Sequence, residues 1–328
     1  MFDVTVVGAT GLVGAELIRI LAERSFPLKR LKALASSRSV GESVEFGNLD
    51  LAVEALDGFD FQGSDLVIFA TPPSVSAEYV PLALAAGSRV LDLSGHFASD
   101  AQALLALAGL SGAELKQARL VAAPVSPAVA LSLALAPILK VAAINQVTAT
   151  ALLPVSHSGV RGVRELETQV RDLLSFQEPQ VQLYAHQIAF NLLPQVGDFE
   201  SDGRTSLEAA TAVQTARLVG LEPASVAVSC CLTPVFYGLG LSVDLEIDPA
   251  VPVAELRDRL RGCDGLKLED NLAHNSYPLP IYAAGQDEVC IGRLRSQRPG
   301  RLSLFIAMDN LRRGSALNAV ELAEAMLR

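Results

Sequence analysis

Near the start, Phe2 to Val7 (FDVTVV) form a β-rich run that stops at Gly8-Ala9-Thr10-Gly11-Leu12-Val13-Gly14. The next stretch, AELIRILAERS, sets Leu17, Ile18, Ile20 and Leu21 at the spacing that lines one side of a helix. Strand, glycine loop and helix therefore follow one another directly. Runs over 31–35, 65–70 (DLVIFA), 89–94 (RVLDLS) and 119–124 (RLVAAP) read as further strands, with Ala-rich helical stretches between several of them. Strands alternating with helices predict a parallel, doubly wound sheet.

Beyond about residue 145 the pattern changes. The stretches 146–156, 225–247, 288–295 and 301–309 are long strand-like runs, interspersed with helical segments near 161–175, 205–219 and 253–261. They predict a second, α+β domain on a mostly antiparallel sheet. We place the first domain at 1–125 and the second at 126–309, with a last helix, about 310–328, returning to the first. No repeat or low-complexity segment is found.

Composition narrows the class. Of 328 residues 50% are hydrophobic and 19% charged, fewer charges than the roughly 25% usual in soluble domains, which predicts large buried faces and room for a subunit interface. The formal charge is 26 minus 36, or −10, without a Lys/Arg block, so nucleic acid is not an expected partner. Asp3 and the lack of a basic segment argue against a signal peptide. The most apolar stretch, Leu120 to Leu139, is interrupted by Pro124, Pro127 and Pro137, short of the ~20 residues of a membrane span. A cytoplasmic protein without a membrane partner is expected. Cys230, Cys231, Cys263 and Cys290 show no CxxC spacing and read as reduced core residues; no metal site is expected.

The glycine loop carries the first chemistry. Glycine allows the backbone to approach a pyrophosphate, and the following helix offers unpaired N–H groups and the positive end of its dipole. That context predicts a Rossmann-type nucleotide domain. The second strand ends in Ala35-Ser36-Ser37-Arg38-Ser39, where an NAD site would often carry an acid; serines with an arginine suit the 2′-phosphate of NADP. NADP is the expected cofactor.

With these features placed, the chain resembles the aspartate-semialdehyde dehydrogenase family over nearly its whole length, and within it the bacterial Usg-type paralogues. The resemblance rests on GATGLVGAEL, ASSRSVG, VSHSGVRGVRELETQ (155–169), AFNLLPQVGDFESDGRTSLEA (189–209), PVFYG (234–238) and DNLRRGSALNAVELAE (309–324). It implies a homodimer and a cofactor site at Gly8, Thr10, Gly11, Leu12, Val13, Ser36, Arg38, Ser39 and Asn310. It further implies a chemistry in which a cysteine thiolate attacks an aldehyde, hydride passes to NADP, and phosphate releases the thioester.

The reaction centre departs from that pattern. Ser126, in Ala123-Pro124-Val125-Ser126-Pro127, stands where the resemblance puts the nucleophilic cysteine. Leu239 stands at the general-base histidine, Leu232 and Ala98 at two arginines, Leu153 at a glutamine, and Ala210 at a lysine. His96, His157 and Glu208 remain as possible pocket residues; His186 and His274 read as ordinary surface. Ser126 has two readings. It is a nucleophile paired with His157, or it starts a helix, as serine is a favoured N-cap and proline a favoured first helical residue. The second is expected. The overall expectation is a family member that keeps the fold and cofactor loop without the family's catalysis. An NADP-dependent oxidoreductase acting on aspartate semialdehyde or another carbonyl, and a serine hydrolase using Ser126 and His157, are the alternatives.

Overall fold

A computed structural model describes residues 1–327. The chain forms two compact units, Met1–Val125 together with the stretch from Ser315, and Ser126–Gly314.

The first unit holds β1 (Phe2–Val7), α1 (Leu12–Glu23), β2 (Leu28–Ala35), β3 (Ser43–Phe46), β4 (Leu49–Ala55), β5 (Leu66–Phe69), α2 (Pro73–Ala85), β6 (Arg89–Asp92), β7 (Leu104–Leu105) and β8 (Leu120–Ala122). Its eight-stranded sheet runs β3-β4-β2-β1-β5-β6-β8-β7. All neighbours are parallel except the β3–β4 hairpin. Val4 to Val7 and Leu66 to Phe69 are buried throughout, as expected of central parallel strands covered on both faces. The hairpin turns at Gly47-Asn48, with Gly47 at φ 61°, a left-handed conformation that costs glycine little. Sequence reading missed it because its strands are half-exposed.

The C-terminal helix, Leu317–Leu327, packs Leu317, Val320 and Ala323 into the same core as Leu17 and Leu21 of α1. Arg24 of the α1 C-cap holds Glu324 through two hydrogen bonds of 2.9 Å. The last residue of the expected 310–328 helix lies outside the described residues.

The second unit contains α3 (Ser126–Leu139), β9 (Ala143–Leu153), α4 (Gly159–Leu174), α5 (Ser206–Val219), β10 (Val226–Leu232), β11 (Leu239–Asp248), α6 (Val253–Arg261), β12 (Leu266–Leu268), α7 (Pro280–Ala283), β13 (Val289–Arg298) and β14 (Arg301–Met308). Its sheet runs β10-β9-β11-β14-β13-β12. The central pairs β9–β11, β11–β14 and β14–β13 are antiparallel and the two edge pairs parallel. Val147, Ala149, Ala151 and Leu153 are buried while Thr148 and Thr150 are exposed, the alternation of a sheet covered on one face.

The run expected over 225–247 is not one strand. It breaks between Leu232 and Leu239, because Pro234 has no N–H for a ladder and Gly238 takes φ 91° against the Pro280 carbonyl, where a Cβ would not fit.

Candidate functional site

In the first unit the glycine loop is shaped by close approach. A Cβ on Gly8, at φ 85°, would collide with the Ala70 carbonyl, and one on Gly14 with the Gly8 carbonyl. The Gly8 and Ala9 amides both donate to the Leu34 carbonyl, at 2.8 and 3.0 Å, tying the loop to the end of β2. Gly11 precedes α1 without a side-chain cap, and the first turn has no acid, so the amides of Leu12 and Val13 meet no neutralising carboxylate from that turn. At the end of β2, Ser37–Ser39 make one tight helical turn, and Thr10 donates to Ser39 across 3.4 Å. Arg38 is exposed and makes no ion pair among the described residues. Loop and turn thus stand together and suit a nucleotide phosphate. His96 is exposed, its ring edge-on to Phe97 at 4.7 Å, and Ala98 is buried beside it in sequence.

In the second unit strand register brings three leucines into one row. Leu232 ends β10 opposite Leu153, which ends β9. Leu239 opens β11, where Gly240 pairs with Leu152, and Leu239 itself pairs with Met308. Residues in register share a face, and all four are fully buried, 0 to 1% exposed. The row is continuous and apolar.

Ser126 is buried as the first residue of α3, with Pro127 second. The helix starts where the sequence suggested, but Ser126 lies inside it rather than at the preceding cap; proline remains tolerated there because the amides of the first turn have no intrahelical partner. The Ser126 Cβ lies 2.9 Å from where a Cβ on Gly314 would sit, so only glycine fits opposite it. Among the described residues no hydrogen bond joins Ser126 to His157. His157, in the short turn Val155–Ser158, has its pKa pulled down by burial to about 4, which leaves a weak base at neutral pH.

Glu208 is committed to structure. Its carboxylate accepts the Thr205 amide at 2.7 Å in a reciprocal capping box at the start of α5, and the Cys230 amide of edge strand β10 at 2.8 Å. It ties the first turn of α5 to the edge strand β10. The pair Asp309-Asn310 is also engaged. Asp309 accepts amides from Gly285, Leu311 and Arg312 at 2.6 to 2.8 Å, and Asn310 joins Ser156 (3.1 Å) to the Gly238 amide (3.2 Å).

A cavity of about 550 Å³ opens in the same unit. Leu183, Leu193, Val196 and Leu232 line it, with His186 and Asp198 also on its wall. Leu193 and Leu232 exchange backbone hydrogen bonds of 3.0 and 2.8 Å, so the cavity begins at one end of the leucine row. His96, His157 and Glu208 do not line it, whereas His186, read as plain surface, does. Most of its wall comes from the irregular stretch 183–199, which has no periodicity to read. Cys230 and Cys290 are buried, their thiol pKa values pushed up to about 12 and about 11 chiefly by burial. Cys231 and Cys263 are only partly buried. Among the described residues no helix is long and apolar enough to cross a membrane.

Comparison with known proteins agrees with this architecture. Residues 3–118 match the family described as semialdehyde dehydrogenase, NAD binding domain, and residues 135–313 the semialdehyde dehydrogenase, dimerisation domain. A USG-1 protein homolog of Azotobacter vinelandii is 38% identical, covering 99% of this chain and 98% of the relative. An aspartate-semialdehyde dehydrogenase of Legionella pneumophila is 37% identical over 99% of this chain and 96% of its own length. The crystal structure of aspartate semialdehyde dehydrogenase II complexed with ASA from Vibrio cholerae superposes with a TM-score of 0.95 at 31% identity, covering 100% of this chain and 98% of that one. The doubly wound unit with its glycine loop, the mixed sheet of the second unit and these full-length matches together show that the chain belongs to the aspartate-semialdehyde dehydrogenase family, with Usg-type paralogues among its relatives.

Proposed function

We propose that this chain is an NADP-binding, homodimeric, cytoplasmic family member that does not carry out the family's phosphorylating dehydrogenation and acts by binding, in a regulatory or structural role. One observation carries the reading. Leu153, Leu232 and Leu239, the positions that the resemblance assigns to glutamine, arginine and histidine, form one buried row at the ends of adjacent strands. Leucine neither accepts a proton nor pairs with a carboxylate. Ser126, at the nucleophile position, has a hydroxyl that is inert without an adjacent base.

The cofactor loop fits NADP. The backbone from Thr10 to Val13 would hold the pyrophosphate, and Ser36, Arg38 and Ser39 the 2′-phosphate. NADP supplies hydride-transfer capacity when bound; this chain's own part is to bind and orient it. The dimer is supported by the match to a dimerisation domain and is tested by sedimentation at micromolar concentration, where a monomer would contradict it.

The catalytic question is settled by one assay. The purified chain, incubated with aspartate semialdehyde, NADP and phosphate, is expected to form no NADPH above background. Turnover within the ordinary range of roughly 1–10³ s⁻¹, abolished by Ser126→Ala, would overturn the reading. A second reading, an active NADP-dependent oxidoreductase on this or another carbonyl, is favoured by the 37% identical relative that bears the dehydrogenase name. A screen of aldehydes and ketones with NADPH separates the two.

A further inference from the structure

From the cavity of the second unit we infer that this chain carries a binding site for uncharged, predominantly apolar small molecules that discriminates against anions. The inference concerns that unit alone and does not depend on the catalytic reading.

The volume, about 550 Å³, falls within the roughly 300–1,000 Å³ typical of small-molecule pockets. Leu183, Leu193, Val196 and Leu232 supply its apolar wall, where removal of a ligand's apolar surface from water drives binding. Its floor is anchored, because the backbone bonds between Leu193 and Leu232 fix the irregular 183–199 stretch to the end of β10.

Charge sets the selectivity. Among the described residues no lysine or arginine lines the cavity, and Asp198, exposed on its wall, is the one carboxylate there and has no ion-pair partner. Tyr184, also on the wall, has its pKa raised by burial, and so stays a neutral phenol at pH 7. An anionic ligand would meet repulsion from Asp198 and find no fixed cation, while a neutral ligand avoids both penalties. Leu232, less than 2% exposed to solvent yet on the cavity wall, adds a buried apolar side chain there and no charge.

Two dyes sharing one aromatic body separate charge from shape. N-phenyl-1-naphthylamine is neutral, and 8-anilino-1-naphthalenesulfonate is its sulfonated counterpart. Fluorescence titration of the full-length chain is expected to show one saturable site per chain for the neutral dye, at least tenfold tighter than for the sulfonate. Leu232→Arg is expected to bring the sulfonate's affinity up at least tenfold and to weaken the neutral dye. Because Leu232 is buried and that variant can fail to fold, Gln195→Trp, at an exposed wall position, provides a second test. It narrows the cavity and is expected to weaken the neutral dye at least tenfold with circular dichroism unchanged. No saturable neutral-dye binding, tighter binding of the sulfonate by the unmodified chain, or unchanged neutral-dye affinity in Gln195→Trp would each overturn the inference. None of these outcomes bears on NADPH formation, so the two proposals fail separately.

Discussion

Leu153 and Leu232 stand directly opposite one another in the parallel pairing of β9 and β10, and the Thr233 amide and hydroxyl both donate to the Leu153 carbonyl at 2.8 Å. The pairing makes two residues almost eighty positions apart into one apolar surface, and Leu239 extends it across the next strand. Polar groups inserted singly there would enter a site without partners.

Leu239→His is therefore expected to destabilise the chain by about 2–4 kcal/mol, through lost apolar burial plus an unsatisfied imidazole. Urea unfolding measures it. Ser126→Cys alone is expected to yield no NADPH with aspartate semialdehyde, since a cysteine at that position still lacks a base; measurable turnover would show that the row does not decide activity.

Arg38 is the exposed cation at the end of β2. Arg38→Ala is expected to weaken NADP binding about 10- to 100-fold, the equivalent of one or two charge-assisted hydrogen bonds, and to leave NAD affinity unchanged. Calorimetry with both cofactors checks it, and equal losses for the two would remove the 2′-phosphate assignment.

Glu208 joins the first turn of α5 to the edge strand β10. Replacing it with alanine removes its half of the capping box, worth roughly 0.3–1.5 kcal/mol, and a carboxylate-accepted hydrogen bond worth about 1.5–3. A loss of roughly 2–4 kcal/mol in urea unfolding is expected from Glu208→Ala, and a smaller one from Glu208→Gln.

His157 links stability to pH. Its pKa falls from 6.5 to about 4 in the folded chain, by burial, so the unfolded chain takes up the proton first as pH falls. This contribution is constant above about pH 6.5 and is lost progressively between 6.5 and 4, reaching on the order of 2–3 kcal/mol. Urea unfolding at pH 7 and pH 4.5 is expected to show a smaller drop in His157→Asn than in the unmodified chain.

The buried thiols of Cys230 and Cys290 are held protonated. In the native chain at pH 8 both are expected to stay silent toward an aromatic disulfide reagent, and all four cysteines to react in urea. Rapid native labelling of Cys230, located by peptide mass mapping, would contradict its burial.

How far the sequence reads depends on the range of the interaction. The helical spacing of Leu17, Ile18, Ile20 and Leu21 and the run from Phe2 to Val7 were legible because a local repeat encodes them. The β3–β4 hairpin was not, since its half-exposed strands carry a weak pattern. The break at Thr233 to Gly238 was signalled by Pro234 and Gly238 but masked by strand-forming residues on both sides.

By itself the sequence determined the alternation that builds the doubly wound unit, the glycine loop with its Ser-Arg-Ser turn, the family, and the residue types at positions 126, 153, 232 and 239. Only the tertiary structure decided that three of those positions share one buried row, that Glu208 accepts two backbone amides and Asn310 one together with the Ser156 hydroxyl, and that the wall of a cavity comes from 183–199. The physical reason is that these relations depend on strand register and on hydrogen bonds between distant residues. A local repeat specifies which face of an element is apolar, but not which element it meets.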